Sequence, residues 1–481
     1  MLRDITSSAL IRWRPISALL YITFTTLGCQ TESLHARSPL IPDRPFLVVW
    51  NIPSEQCEPR YRMKFDMSPF DLVCYPNEHF KGQSVTVFYH DRLGLYPHYK
   101  ADGVPVNGGL PQNASLLRHL DKAKEDIESY MPLGSPGRLA VIDWEDWRPQ
   151  WIRNWDKKDV YRLQSRQLVH KMHPDWHDEL VNKQAQWEFE TSARQYMLET
   201  LYLGTSLRPD ALWGFYLFPD CYNHDYQNNF AGYTGHCPEI EILRNKELEW
   251  LWQESTALFP SIYMPRQLRS TTNGRKFVQH RVLEALRVAQ LARRHHALPV
   301  FVYTQPVYIY AGAIESNFKT EIDLVHSIGE SAALGAAGII LWGDMKYAQS
   351  RESCIGLKQY VANQLGTYIT NVSKAARECS RAVCNQHGRC ARRIPSSEAY
   401  LHLNPHSFTI WPPRHEGEGF LVSGRLSRAD LRHLERNFVC HCYVGWDGER
   451  CDYLSAAMAR TPLSFRWILT VGLITPIFYV L

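Results

Sequence analysis

The chain has 481 residues and a formal net charge of +4, and charged residues make up 21% of it. A chain of this length can bury a large core, so we expect one large domain and a smaller one. The small net charge and the absence of a long cationic block argue against a nucleic-acid-binding protein. The sequence also holds 15 Trp and 25 Tyr residues, whose flat faces can stack on sugar rings as well as fill a core.

Residues 1–29 are typical of a signal peptide. Arg3, Arg12 and Arg14 precede a short apolar stretch at residues 16–27, and Gly28 and a polar run follow it. The stretch is too short to span a bilayer comfortably. We therefore expect the protein to be exported.

Seven short apolar runs follow, and helical patterns separate several of them. The runs lie at residues 45–50, 85–89, 139–143, 213–218, 261–264, 300–304 and 338–342. The helical patterns lie at residues 115–130, 157–171, 182–203, 277–294 and 321–334. Continuous apolar runs are typical of strands buried on both faces, and their alternation with helices indicates parallel β-α units. We predict an α/β fold, a distorted (β/α) TIM-type barrel of about seven strands at residues 43–370, with a doubly wound open sheet as the alternative.

Six of the twelve cysteines lie late in the chain. Their order is C-x4-C-x5-C, a long gap, and then C-x-C-x8-C. This order is typical of a small disulfide-rich EGF-like module with an insertion, which we place at residues 375–452. Zinc binding is the alternative, but an exported chain favours oxidised cysteines, and zinc sites usually set their ligands in two close pairs. We expect no bound metal.

Residues 455–481 are typical of a GPI-attachment signal that is removed on anchoring. Small residues at 455–457 precede a spacer through Arg466 and an apolar tail at residues 467–481. A short transmembrane anchor is the alternative, but about 15 residues are few for a span. We expect a protein anchored in the outer leaflet, on the extracellular face of the plasma membrane, with lysosomes or endosomes as a further location.

Two carboxylates stand at the end of one predicted strand. Extended backbone alternates its side chains, so Asp143 and Glu145 point the same way and Trp144 points the other way. Two like charges this close do not both ionise easily, and the carboxyl in the drier surroundings keeps its proton to a higher pH. Such a pair suits glycoside hydrolysis, which needs a protonated carboxyl beside the leaving oxygen. The alternative is a structural pair that caps the next helix or binds Arg148 and Arg153.

Four long motifs make the sequence similar to a known family. They are VNGGLPQN at residues 106–113, AVIDWEDWRP at 140–149, WGFYLFPDCYNHDY at 213–226 and GESAALGAAGIILWGD at 329–344. Together they resemble the animal hyaluronidases, glycoside hydrolase family 56, over about residues 43–452, and the GPI-anchored type is the most similar. The resemblance implies an endo-β-N-acetylhexosaminidase that cuts β-1,4 linkages of hyaluronan, with chondroitin as a second candidate substrate and no cofactor.

Two other hypotheses stay open beside this one. One is a weakly active or inactive cell-surface protein that binds hyaluronan as a receptor on the same fold. The other gives the EGF-like module a surface protein partner of its own.

The resemblance also implies roles for individual residues. Glu145 matches the acid/base, and Asp143 matches the carboxylate that orients the substrate's acetamido group, whose oxygen is the nucleophile in a retaining, substrate-assisted reaction. Tyr216 matches a catalytic tyrosine that hydrogen-bonds this group. The implied substrate-binding residues are Tyr89, Asp220, Tyr222, Tyr263 and Trp342. His224 departs from the family pattern, and a histidine there is expected to titrate at about pH 6–7 and make substrate affinity depend on pH.

Five disulfides are implied by the same resemblance. They are Cys57–Cys354, Cys221–Cys237, Cys379–Cys390, Cys384–Cys440 and Cys442–Cys451. Cys74 is left over, and a free thiol, a bond to Cys29 and an intermolecular link all stay open. Asn113 and Asn371 begin Asn-x-Ser sequences and are predicted glycosylation sites.

Overall fold

The computed structural model describes residues 34–75, 83–134, 139–292, 295–413 and 418–455. The predicted signal peptide and all of the predicted anchor signal after Ser455 lie outside these ranges. Within them, no helix is both long enough and apolar enough to cross a membrane.

Parallel strands from the first three quarters of the chain form two sheets. One sheet has the order Leu72–Val73, Leu47–Asn51, Gly338–Trp342 and Phe301–Thr304, and the other has the order Val85–Tyr89, Leu139–Asp143 and Leu212–Phe215. Single parallel bridges join Tyr216 to Phe259, Leu258 to Val300 and Ser261 to Tyr303. The segment 258–261 therefore pairs with both sheets. A small antiparallel pair, His98–Tyr99 with Pro105–Val106, follows the strand that ends at Tyr89.

The sheet strands are buried on both faces, and the two faces belong to different apolar clusters. Val49, Val87, Val141 and Phe301 belong to a cluster made mostly of strand residues. The intervening residues belong to a larger cluster shared with the helices, and they include Val48, Phe88, Ile142 and Val302. Neighbouring residues of a strand point to opposite faces, so each strand separates the two clusters. We call the cluster of mostly strand residues the inner core and the cluster shared with the helices the outer core.

Helices lie between and after the strands. The first group comprises Cys57–Tyr61, Leu116–Tyr130, Asp159–Met172, Asp178–Leu207, Glu239–Glu247, Glu249–Glu254 and Thr272–Leu291. The second group comprises Glu321–Leu324, Glu330–Ala333, Arg351–Tyr360, Gly366–Val383 and Arg428–Asn437, and π-helical segments Val325–Gly329 and Val361–Leu365 join two pairs of them. The side chains of Ser115, Thr271, Thr320 and Ser350 accept a hydrogen bond from the first turn of a helix, which satisfies a backbone N–H there.

One predicted strand is shorter in the structure, and one predicted boundary falls within a helix. The run at 261–264 forms only a single bridge at Ser261, because Pro260 and Pro265 flank it and proline has no N–H to donate to a ladder. The boundary expected between residues 370 and 375 lies inside the helix Gly366–Val383. This helix continues from the segment that follows the last parallel strand into the cysteine-rich part, so no linker interrupts the chain there.

The cysteine-rich part is built from short antiparallel pairs. Gly388–Arg392 pairs with Phe438–Cys442, and Trp446–Asp447 pairs with Tyr453–Leu454. Between the first two strands the chain forms the pair Phe408–Trp411 with Leu421–Gly424, followed by the helix Arg428–Asn437. A capping box of Ser427 and Asp430 starts this helix.

Among the described residues five disulfides are formed, and they are the pairs that the resemblance implies. They are Cys57–Cys354, Cys221–Cys237, Cys379–Cys390, Cys384–Cys440 and Cys442–Cys451. Among the described residues Cys74 has no disulfide partner; its thiol is buried, and burial raises its pKa to about 12. Cys29 lies outside the described residues. A thiol that is shielded from solvent and stays protonated is a poor nucleophile, which argues against an intermolecular link.

Candidate active site

The strand ends bring the predicted carboxylates and aromatic residues together. Tyr89, Asp143 and Trp342 are the last residues of three parallel strands, and Tyr216 directly follows a fourth. Tyr89, Tyr216, Trp342 and also Tyr263 pack against the inner core. The carboxyl ends of parallel strands meet at one edge within each sheet, and the contact of Trp342 in one sheet with Tyr89 in the other brings these two edges together.

Four of the aromatic side chains form a continuous row. The indole N–H of Trp342 donates a hydrogen bond to the Tyr89 hydroxyl at 3.1 Å. The rings of Trp342 and Tyr263 are nearly parallel with centroids 6.2 Å apart, and those of Tyr263 and Tyr216 are 6.1 Å apart. Tyr303, which the sequence analysis did not single out, lies perpendicular to Tyr216 at 5.0 Å. Its place inside a predicted strand indicated only core packing.

The Asp143 carboxyl is more deeply buried than the Glu145 carboxyl. Its Oδ1 atom is buried and has no hydrogen-bond partner among the described residues. Burial raises the pKa of Asp143, and the negative charge of Glu145 raises it further, whereas Arg148 acts in the opposite direction. Asp143 therefore keeps a proton at a pH where an exposed aspartate has lost it.

Glu145 lies at the solvent side of the pair. Its side chain is 52% exposed, and Oε2 is 3.5 Å from the Arg148 guanidinium. The backbone carbonyl of Glu145 accepts hydrogen bonds from Arg148 and Lys158, so its main chain is held while its carboxylate stays accessible. The structural alternative placed Arg153 against this pair. Arg153 instead binds Asp220 and Glu241, at 3.1 and 2.9 Å.

A cavity of about 700 Å³ lies beside the carboxyl pair, within the range of about 300–1,000 Å³ typical of ligand pockets. Its lining includes Tyr216, Asp220, Tyr222, His224 and Tyr263. Asp143, Glu145, Tyr89 and Trp342 are not among the lining residues. Arg148 and Lys158 line the cavity and also donate hydrogen bonds to the backbone carbonyl of Glu145, so the cavity lies next to Glu145.

Asp220 holds the loop beside this cavity. Burial alone would raise its pKa, but the charges of Arg281 and Arg153 and two backbone N–H groups together lower it. Those N–H groups belong to Cys221 and Tyr222, at 2.7 and 3.2 Å. Asp220 is therefore a fixed anion whose oxygens already have partners, and it positions the loop that carries Tyr222.

The expectation for His224 is wrong. Burial lowers its pKa to about 4, and the neighbouring Arg281 contributes to the same shift. The Arg281 guanidinium lies 3.1 Å from Nε2 of the ring. A protonated ring would place two cations in contact, so His224 stays neutral at about pH 6–7 and does not titrate there.

The predicted glycosylation sites differ in exposure. Asn113 is exposed at the end of a short 3-10 turn. Asn371 is half-buried, and its side-chain oxygen accepts a hydrogen bond from the Leu403 backbone at 2.9 Å. In the described ranges, no three His, Cys, Asp or Glu side chains are arranged to hold a metal ion.

Comparison with known proteins identifies the family. The family model described as hyaluronidase matches residues 35–455. This chain belongs to the hyaluronidase family. It is therefore a glycoside hydrolase.

Similar proteins cover most of its length. The chain is 52% identical to hyaluronidase-2 of Mus musculus over 422 residues, which are 87% of this chain and 88% of the mouse protein. It is 49% identical to hyaluronidase-2 of Homo sapiens over 449 residues, 90% of this chain and 94% of the human protein. A solved structure of bee venom hyaluronidase in complex with a hyaluronic acid tetramer is also similar, with a TM-score of 0.60 and 29% identity over 68% of this chain and 98% of that one.

Proposed function

We propose that this hyaluronidase-family chain hydrolyses the β-1,4 linkages of hyaluronan, as an endo-β-N-acetylhexosaminidase. The observation that carries the proposal is the carboxyl pair, in which a buried Asp143 lies against a half-exposed Glu145 at the strand ends. The similarity to a venom hyaluronidase solved with a hyaluronic acid tetramer supports the choice of polymer. Chondroitin is a second candidate substrate.

The proposed reaction retains configuration and uses the substrate's own acetamido oxygen as nucleophile. Glu145, whose carboxylate faces solvent, donates a proton to the bridging oxygen and then accepts one from the incoming water. The proton that Glu145 donates comes from Asp143. The Asp143 carboxylate then accepts a hydrogen bond from the acetamido N–H, and its negative charge stabilises the ring closure. The Tyr216 hydroxyl binds the same acetamido group, and the row of Tyr263, Trp342 and Tyr89 holds the sugar rings.

We also propose the finer features of the architecture. The two parallel sheets and the bridging segment 258–261 are best described as one distorted (β/α) barrel, and the part after residue 375 as an EGF-like module with an insertion at residues 393–437. Successive strand residues alternate between the two apolar clusters, which supports the barrel, and the three late disulfides support the module. A GPI anchor on the extracellular face of the plasma membrane and a protein partner for the module complete the proposal. Release from cells by a phosphatidylinositol-specific phospholipase tests the anchor.

Replacement of the acid tests the activity. Glu145→Gln removes the proton that the leaving oxygen needs, so we expect turnover to fall about 10²- to 10⁴-fold while binding and melting temperature are retained. The measurement is the release of reducing ends from hyaluronan and the size of the remaining polymer, at several pH values. Glu128→Gln, an exposed glutamate on the helix Leu116–Tyr130, is the matched control.

Two outcomes contradict the proposal. Substantial residual turnover in Glu145→Gln would remove Glu145 from the acid role. Binding of long hyaluronan by the unchanged protein, without any shortening of the polymer at acid or neutral pH, would favour the receptor hypothesis.

A further inference from the structure

The segment before the helix Asp159–Met172 places an accessible indole at the cavity described above. Trp155 lines the cavity and is 41% exposed. Its ring is perpendicular to that of Tyr222 at 5.5 Å. Tyr222 is exposed to a similar extent, at 39%, but the Arg153 guanidinium already lies over its ring at 5.5 Å and the His224 ring lies 4.7 Å away. Trp155 is therefore the better surface for stacking a sugar ring at the cavity edge.

The cavity lining also carries five basic side chains, and the three arginines among them have carboxylate partners. Arg153 binds Asp220 and Glu241. Arg281 is 3.5 Å from Asp220, and Arg148 is 3.5 Å from Glu145. Their charges are thus offset before any substrate arrives.

The two lysines differ from each other. Lys158 is partly buried and directs its ammonium group at the backbone carbonyls of Glu145 and Asp146. Lys157 is exposed, and its ammonium group has no hydrogen bond or ion pair with any residue that the structure describes. The nearby Asp159 binds Arg162 instead, at 2.5 Å. Lys157 is consequently the cation of the lining that remains available for an anion from solution.

The backbone between the indole and this lysine is strained. Asp156 has a φ of +51°, in the left-handed region that L-residues rarely adopt. Non-glycine residues in this conformation are often found where a protein holds a ligand. The turn at Asp156 places Trp155 and Lys157 on the lining of the same cavity.

We propose that Trp155 and Lys157 form a binding position for a hexuronate residue of the polymer. The indole stacks on the sugar ring, and the ammonium group of Lys157 pairs with the hexuronate carboxylate. The inference rests on the proposed function and extends it, because it assigns to this pair the preference for an acidic polymer over a neutral one. Both residues lie at the cavity edge and bind substrate without contacting the bond that is cut.

The test compares hyaluronan with carboxyl-reduced hyaluronan, in which the carboxylates are replaced by neutral alcohols. Lys157→Gln keeps the apolar stem and removes the charge. Because the site is exposed, we expect KM for hyaluronan to rise about two- to fivefold at low salt with kcat unchanged. The variant should bind the reduced polymer as the parent does, and Lys157→Arg should restore the parent KM. Lys171→Gln, an exposed lysine near the end of the helix Asp159–Met172, is the matched control.

The stacking role has its own readout. Trp155→Leu keeps an apolar side chain but removes the flat face, so it should weaken binding of both polymers to a similar extent. Raising the ionic strength should reduce the effect of Lys157→Gln and leave that of Trp155→Leu, because salt screens charge pairs and not ring stacking.

The following results would contradict the proposed binding position at Trp155 and Lys157. An unchanged KM in Lys157→Gln, an equal rise in Lys171→Gln, or an equal loss on the reduced polymer would overturn the role of Lys157. If the unchanged protein binds hyaluronan without cutting it, the proposed function fails, and the same comparison is made with equilibrium Kd values for hyaluronan oligosaccharides. If the unchanged protein neither cuts nor binds hyaluronan, both proposals are wrong.

Discussion

The buried ion pair between Glu330 and Arg392 offers a direct test of how the cysteine-rich part is held against the part that contains the parallel sheets. Both side chains are 0% exposed, and the guanidinium donates to the two carboxylate oxygens at 2.7 and 3.0 Å. Arg392 lies on the strand Gly388–Arg392, and Glu330 lies on a helix that precedes the last parallel strand. Arg392 also donates to the carbonyls of Pro395 and Ala399, so it cannot turn away without losing these bonds. Glu330→Gln leaves the guanidinium buried without a counter-charge.

Breaking one side of a buried pair costs about 3–5 kcal/mol of unfolding free energy. A folded unit of roughly 420 residues has an unfolding entropy of about 0.9 kcal/mol/K, so we expect the Tm to fall by about 3–6 °C. Scanning calorimetry at pH 7 measures the change. Glu398→Gln is the matched control, because Glu398 is 76% exposed where it pairs with Arg275 at 3.3 Å. An exposed pair contributes about 1 kcal/mol or less, which corresponds to a shift of about 1 °C.

A second variant separates the missing counter-charge from general disruption. Glu330→Leu combined with Arg392→Met removes both charges, so it should melt above Glu330→Gln although it loses the same ion pair. Equal shifts in Glu330→Gln and Glu398→Gln, or a double variant that melts lower than the single one, would refute the reasoning.

Two further predictions concern pH. Burial lowers the pKa of Lys319 from 10.5 to about 7, so the unfolded chain binds this proton more tightly, and stability falls as the pH drops from about 10.5 to about 7. Lys319→Met should therefore raise the Tm relative to the parent below pH 7, and thermal melts should show that gain shrinking towards pH 10; a gain that does not change with pH would contradict this. His224→Gln should leave the pH dependence of KM unchanged between about pH 5 and pH 7, since the pKa of His224 lies at about 4; an altered profile in that range would show that the ring titrates.

Much of the strand pattern was predictable from local sequence. The strands Val85–Tyr89, Leu139–Asp143 and Gly338–Trp342 coincide with the expected runs, because each run is continuously apolar and buried on both faces. The long helix Gly366–Val383 was missed. Gly366 and β-branched residues such as Thr370 and Val372 lower its intrinsic helix propensity, and packing on the large core stabilises it instead.

The sequence indicated that these side chains lie near one another at the strand ends, but not their electrostatic arrangement. The alternation of side chains along a strand placed Asp143 and Glu145 on one side. Only the tertiary structure shows that the Asp143 carboxyl is the more deeply buried of the two. The partners of Asp220 are distant in sequence, since Arg153 precedes it by 67 residues. The contact between Arg281 and His224 spans 57 residues, and no local pattern indicates it. The disulfide pairs came from the family resemblance, because cysteine spacing alone allows many connectivities.

The helix Gly366–Val383 has a consequence for any attempt to divide the protein. Its residues Val372 and Cys379 belong to the same large core as the parallel strands, and Cys379 is joined to Cys390. A protease that cuts near residue 375 would have to unwind a packed helix first, and a chain shortened there would expose apolar surface on both fragments. The parallel-sheet part and the cysteine-rich part are accordingly held in one fixed orientation, and we expect them to unfold and to be degraded together.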